Sequence, residues 1–392
     1  MLLFLTILFI LLLKILAASE NDFITNSRLA NSALKQWYNT TTGVWDTTGW
    51  WNSANCLKTT GDLAAIDPRV RSAALDIFAN TLEKAPKFNE WAKKEIEPDY
   101  MIHSLSNGVL KWPRQDPTGF LNGFYDDEGW WALGWIQAYD VTKNSQYLQT
   151  AVDIFNDMNN ATTTPCNGGI WWDRDKTYVN AIANELYLSV ASHLANRAQG
   201  SDRQKYRQIA IKQWNWFNAS GMINKDFNIN DGLTADCKNN NGTVWSYNQG
   251  VILGGLVELS KATSDSSYLR PAQGIALAGI KKLSDKDGVL HDPCEPNCGT
   301  DGTQFKGIFM RNLLALQKIA PNGKILSFIT MNAASVWKNN RNTDNQFGIN
   351  WAGPFIGPAN ASTQSSAMDA IVSASSIQKY FENGIGSNNS IL

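Results

Sequence analysis

The chain is poor in the residues that hold metals. Its three histidines (His103, His193, His291) are scattered, and none of its five cysteines stands at zinc-site spacing from them. No metal centre and no cofactor are expected. It also lacks an excess of charge of one sign. Lys and Arg total 34 against 35 Asp and Glu, a net charge of −1, and no basic block stands out. That excludes a polyanion-binding surface, and with it a nucleic-acid partner. Alternating polar–apolar runs of useful length are almost missing, which excludes a fold built on sheets. After the apolar N-terminus no stretch is long enough to span a bilayer, and Ser387–Leu392 carries no hydrophobic tail of the kind a GPI signal needs. No Pro/Ser linker or shift in composition interrupts the chain, so residues 20–392 read as one domain acting as a monomer.

What is present first sets the compartment. Met1–Leu13 is almost wholly apolar and small residues follow through Ser19, the pattern of a secretory signal peptide over residues 1–19. An uncleaved signal anchor is the competing reading, because the run approaches the shortest length that spans a membrane. Six glycosylation sequons, at Asn39, Asn160, Asn218, Asn241, Asn360 and Asn388, fit export. Cys56, Cys166, Cys237, Cys294 and Cys298 permit at most two disulfides and leave one thiol over. Cys294 and Cys298 could close a small local loop, but spacing alone does not fix the pairing.

Apolar residues recur at helical spacing over 24–37, 70–82, 128–139, 147–158, 179–194, 206–217, 251–259, 268–283, 308–319, 325–337 and 367–380. Four segments that lead into helices, Gly119–Gly129, Asn167–Thr177, Asp226–Ser246 and Asp285–Thr303, are alike: each carries Asp, Asn and Gly, and the first three an aromatic. They recur every 50 to 60 residues. Such a repeat predicts an all-α fold of stacked helical hairpins with the functional loops on one face. Eleven or twelve helices in pairs close into an (α/α)6 barrel, although an open solenoid fits the periodicity equally well.

The chemistry concentrates at Gly123-Phe124-Tyr125-Asp126-Asp127-Glu128-Gly129-Trp130-Trp131. Two adjacent carboxyls supply the acid and base, or acid and nucleophile, that glycosidic cleavage requires, and flat aromatic faces suit the apolar faces of sugars. Acids before a helix also cap it, and tryptophans also fill cores. What exceeds both is the combination with Trp50-Trp51, Trp171-Trp172-Asp173 and Trp245-Ser246-Tyr247-Asn248-Gln249 in a chain of 16 Trp. Neighbouring side chains diverge by about 100° in a helix, so the pair is expected at an irregular junction just before one. Trp130, Trp172, Asp173, Asp231, Tyr247, Asn248 and Gln249 are candidate sugar contacts, weighed against roles in forming and bracing turns. Asp62 is a further candidate, easily read as a helix cap; Glu185 is a reserve carboxylate.

The string from Gly123 to Trp135 closely resembles the adjacent-Asp motif of glycoside hydrolase family 76. Gly168–Asp173 with Asn180–Glu185, and Trp245–Gly250, match in order and spacing, so the resemblance covers most of the chain. Cys294-Glu295-Pro296 and Phe305–Arg311 look like the fungal branch, which is implicated in processing the mannan of GPI glycans. The resemblance implies an (α/α)6 barrel and a mannan endo-1,6-alpha-mannosidase. In it Asp126 would be the nucleophile and Asp127 the acid/base of a retaining mechanism, on an α-1,6-mannan substrate at the cell wall or outside the cell. A transglycosylase that links mannan-bearing glycans to wall glucan would use the same residues. A silent mannan-binding protein is disfavoured by the intact pair, and other barrel enzymes by the three matching blocks.

Overall fold

The structure, a computed structural model, describes residues 22–89, 94–96, 102–104 and 119–388. The leader expected over 1–19 lies outside the described residues, and the sequon at Asn388 runs into them. Among the described residues there are twelve α-helices: α1 Phe23–Leu34, α2 Trp50–Ile66, α3 Pro68–Lys84, α4 Tyr125–Thr142, α5 Ser145–Met158 and α6 Ala181–Arg197. They continue as α7 Gly200–Ala219, α8 Ser246–Thr263, α9 Leu269–Leu283, α10 Phe305–Ile319, α11 Gly323–Asn339 and α12 Ala361–Asn388. Among the described residues, strands are confined to two short antiparallel pairs, Tyr38–Asn39 with Val44–Trp45 and Lys94–Ile96 with Ile102–Ser104.

Two kinds of helix alternate. In α5 the buried residues Tyr147, Ala151, Ile154, Phe155 and Met158 form one stripe, as in a helix that covers a core from outside. In α8 sixteen of eighteen residues are buried, so that helix is enclosed on all sides. The enclosed helices α2, α4, α6, α8, α10 and α12 pack each on the next, and α12 packs on α2. That last contact closes the ring and rules out the open solenoid. The remaining helices form the outer layer of an (α/α)6 barrel. Among the described residues, no helix is long and apolar enough to cross a membrane.

Two expectations need correction. Helix α2 has no counterpart in the periodicity, and Asp62 is no cap: it lies inside α2, paired with Lys58 at 2.6 Å. Helix α4 starts at Tyr125, three residues before its apolar pattern, which places Asp126 and Asp127 within its first turn and not ahead of it. The cysteines pair as Cys166–Cys237 and Cys294–Cys298. Cys56 is the spare thiol; it is buried against the Ala361 carbonyl, and burial pushes it up to about 12, so it is inert. Asn160, Asn218 and Asn241 are exposed, whereas Asn39 and Asn360 are half-buried with their amides bonded into a turn and a helix start.

Candidate active site

The inner helices all begin at one end of the barrel. There the chain makes its long excursions, over residues 35–49, 159–180, 220–245, 284–304 and 340–360, with 85–89 and 119–124 beside them, while the other end has only short turns such as 143–144 and 198–199 among the described residues. The first helical N–H groups have no partner within their own helix. Here the neighbouring excursion supplies one: Tyr125 N donates to the Trp172 carbonyl, Ala181 N to Asp231 O, Ser246 N to the Asp292 carboxylate and Ala361 N to the Thr47 hydroxyl. The fourth residue of most inner helices then grips its own preceding loop. Ser53 accepts from Trp45 N, Glu128 from Asn122 N, Asn184 from Ile170 N, Gln249 from Ile229 N and Gln364 from Phe347 N.

Asp126 and Asp127 occupy this end as the second and third residues of α4, 8% and 4% exposed. No side chain caps α4, so its positive dipole end acts on these acids directly. Asp127 Oδ2 accepts from Asn122 Nδ2 at 2.7 Å, and Asn122 Oδ1 accepts from Phe124 N. Asn122 is fixed in turn by Arg174, which donates to its carbonyl, pairs with Glu128 and Asp157, and lies over the Tyr125 ring. Burial pushes the Glu128 carboxyl up against the pull of Arg174.

Across from the pair stands a second acid cluster. Asp231 accepts from the Tyr178 hydroxyl at 2.7 Å, and that hydroxyl accepts from Asn240. A Cβ on Gly232 would lie 2.4 Å from the Tyr178 oxygen, so only glycine lets this loop come so close. Burial raises Asp231 to about 7 against the hydrogen bond from Tyr178. Glu185 is fully buried with no hydrogen bond to either oxygen; burial, then the charge of Asp231, push it well above the carboxylate range. Tyr247 stacks on Phe305 with centroids 3.8 Å apart. Burial, followed by the charges of Asp231, Asp126, Glu185 and Asp301, drives its phenol up. Tyr247 therefore sits among acids from four different segments, one of them in the catalytic motif.

Asp301 is a residue that the sequence did not single out, although its segment Asp285–Thr303 was recognised as loop-like. It accepts from Trp51 Nε1 at 2.7 Å, and Trp51 stacks on Trp130 with centroids 5.5 Å apart. Other candidates are buried as supports. Trp172 is 1% exposed, packed between Phe124 and Tyr178, and Asp173 accepts from Thr177 N and its hydroxyl as a turn brace. Gln249 gives both ends of its amide to Ile229 and also donates to Trp245 O. Trp130 is 3% exposed and supports Trp51 from below. Among the described residues, no three His, Cys, Asp or Glu side chains are grouped as a metal would need.

With this geometry in place, comparison with known proteins is informative. The sequence model of Glycosyl hydrolase family 76 matches residues 27–384. A putative mannan endo-1,6-alpha-mannosidase of Schizosaccharomyces pombe is 29% identical over 50% of this chain and 48% of its own length. The mannan endo-1,6-alpha-mannosidase DFG5 of Saccharomyces cerevisiae is 27% identical over 58% and 54%. The chain thus spans about half the length of the curated relatives it matches. In fold it is similar to an inactive variant of the α-1,6-mannanase GH76A of Salegentibacter sp. HEL1_6, two consecutive aspartates of which are replaced by asparagine, in complex with α-1,6-mannotriose. That match has a TM-score of 0.72 at 19% identity, over 90% of this chain and 99% of the other. Dfg5 from Chaetomium thermophilum in complex with glucosamine matches with a TM-score of 0.72 at 20% identity, over 91% of each chain.

Proposed function

The chain belongs to glycosyl hydrolase family 76, and we propose that it is a secreted, endo-acting hydrolase of α-1,6-mannan backbones that retains anomeric configuration. The observation that carries this reading is the place of Asp126 and Asp127. They lie at the loop-bearing end of a closed helical ring, beside a second cluster of acids and an aromatic floor. Support comes from the relatives named for this activity and from the fold neighbour inactivated at two consecutive aspartates.

In this mechanism Asp126 attacks C1 while Asp127 gives its proton to the departing glycosidic oxygen. Water then enters with Asp127 as base and releases the product with α configuration. Such a pair works with its carboxyls about 5–5.5 Å apart. The positive end of α4 favours the ionised nucleophile, and Asn122 holds Asp127 in line. Asp231, Asn248 and Asp301 are offered to sugar hydroxyls. Tyr247, Trp130 and Trp172 shape the floor beneath them, and Asp173 and Gln249 hold its loops. The leader and the exposed sequons support export.

The test is incubation with debranched α-1,6-mannan, with products sized and their fresh anomers read by NMR. Internal cleavage with the α-anomer appearing first is expected. Asp126→Asn and Asp127→Asn should each lose about 10³-fold or more of this rate, with melting temperatures close to wild type. A β-anomer appearing first would overturn retention, and a fully active Asp126→Asn protein would overturn the assignment. A mannosyl adduct on added glucan, found by mass spectrometry, would identify transfer in place of hydrolysis.

A further inference from the structure

The opposite end of the barrel holds a second cavity, of about 390 Å³, lined by residues of all six inner helices. None of its lining residues belongs to the first turn of α4, which bears Asp126 and Asp127, or to the excursions around it. No Trp, Tyr or Phe is among the described residues that line it, so it lacks the broad apolar ring faces that suit a sugar. Its walls are charged instead. Lys58 pairs with Asp62, Arg197 with Asp140 and Glu258, Lys261 also with Glu258, and Arg311 with Asp369. Those four carboxylates are thereby matched by four cations. Lys318, in the last turn of α10, is a fifth cation with no carboxylate within ion-pair distance among the described residues.

The bland account is that Lys318 complements the negative C-terminal end of α10. Two observations go beyond it. Burial first pulls the Lys318 ammonium below its ordinary range, opposed by the attraction of Asp62 and helped by the repulsion of Lys58 and Lys261, and these three lysines line one cavity from three helices. Ser373, on α12 and also lining the cavity, is 1% exposed, and its hydroxyl has no hydrogen-bond partner. Buried polar groups are almost always satisfied, and an orphan in a polar cavity marks a place for a bound molecule.

We propose that this far cavity binds a compact oxyanion, a phosphate or a carboxylate, held by Lys318, Lys58 and Lys261 with the Ser373 hydroxyl as a further donor. An ammonium donates to such oxygens in charge-assisted hydrogen bonds, which are the strong ones. The site is separate from the catalytic end and does not depend on the reading given above.

Calorimetric titration of the intact protein with inorganic phosphate, and separately with acetate, at constant ionic strength tests it. Saturable binding is expected, and the tighter anion identifies the source chemistry. Lys318→Gln should weaken it by about tenfold or more, as loss of one charged contact implies. Ser373→Val, which keeps every charge, should weaken it as well. Asp126→Asn should bind as wild type does. Absence of saturable heat with either anion would overturn the proposal, and so would unchanged affinity in Lys318→Gln. A Lys318→Gln protein that melts lower in plain buffer yet binds phosphate as before would leave the lysine as a dipole partner only.

Discussion

Single residues carry the site, and they differ in how far the sequence exposes them. The adjacent acids were legible because glycines and tryptophans flank them on both sides. Asn122 and Asp301 were not, because one Asn or Asp in a loop looks like any turn former. Their meaning comes from contacts made in three dimensions, such as that of Asp301 with Trp51, 250 positions away. Asp231 gives a pH prediction of unusual sign. Its carboxyl titrates near 3.8 in the unfolded chain and at about 7 when folded. Between those values the folded protein holds a proton that the unfolded chain has released, so its contribution to stability falls as pH rises through that window. Melting curves from about pH 4 to 7 should show wild-type stability declining more steeply than that of Asp231→Asn. Parallel curves would remove Asp231 as the cause.

Among elements, the sequence pattern exposed every outer helix and five of the six inner ones, and missed α2. A helix covered on one side keeps an apolar stripe, whereas α2 buries Asn52, Ser53, Asn55, Thr59 and Thr60 alongside its apolar residues and so has no periodic signature. The start of α4 was displaced for a related reason, since an acidic first turn reads as a cap when no tertiary contact is visible. The fourth-residue grip on each loop was equally hidden, because its side chains differ (Ser, Glu, Asn, Gln) while their geometry is shared. Gln249 tests it. Its amide answers both the N–H and the carbonyl of Ile229, so Gln249→Leu strands two buried backbone groups. Urea unfolding should register a loss of roughly 2–6 kcal/mol, about 1–3 for each of the two stranded groups. A loss under about 0.5 kcal/mol, the scale of a neutral surface change, would mean that the loop finds other partners.

For the molecule as a whole, repeat spacing predicted the barrel, while closure and cysteine pairing became visible only in three dimensions. The Cys166–Cys237 bond joins two neighbouring excursions, those bearing Tyr178 and Asp231, across 71 residues of chain. A cross-link of that span limits the unfolded chain by about 4 kcal/mol on loop-entropy grounds. Mild reduction should therefore lower the melting temperature. It should also weaken mannan cleavage at temperatures where the barrel remains folded, because the tied loops carry the second acid cluster. Equal activity of the reduced and oxidised proteins below the melting transition would separate that bond from the site.

Ring closure also makes the order of the chain incidental to its shape. Phe23 N at the head of α1 donates to Gln378 in α12, so the first and last helices already meet. A gene reordered to join those two helices by a short linker, and to start instead at the turn 143–144, would encode the same barrel with the same neighbours around it. The excursions at the other mouth, each tied to the next, would not accept such a cut. The fold is thus a circle that can be opened at one rim and not at the other.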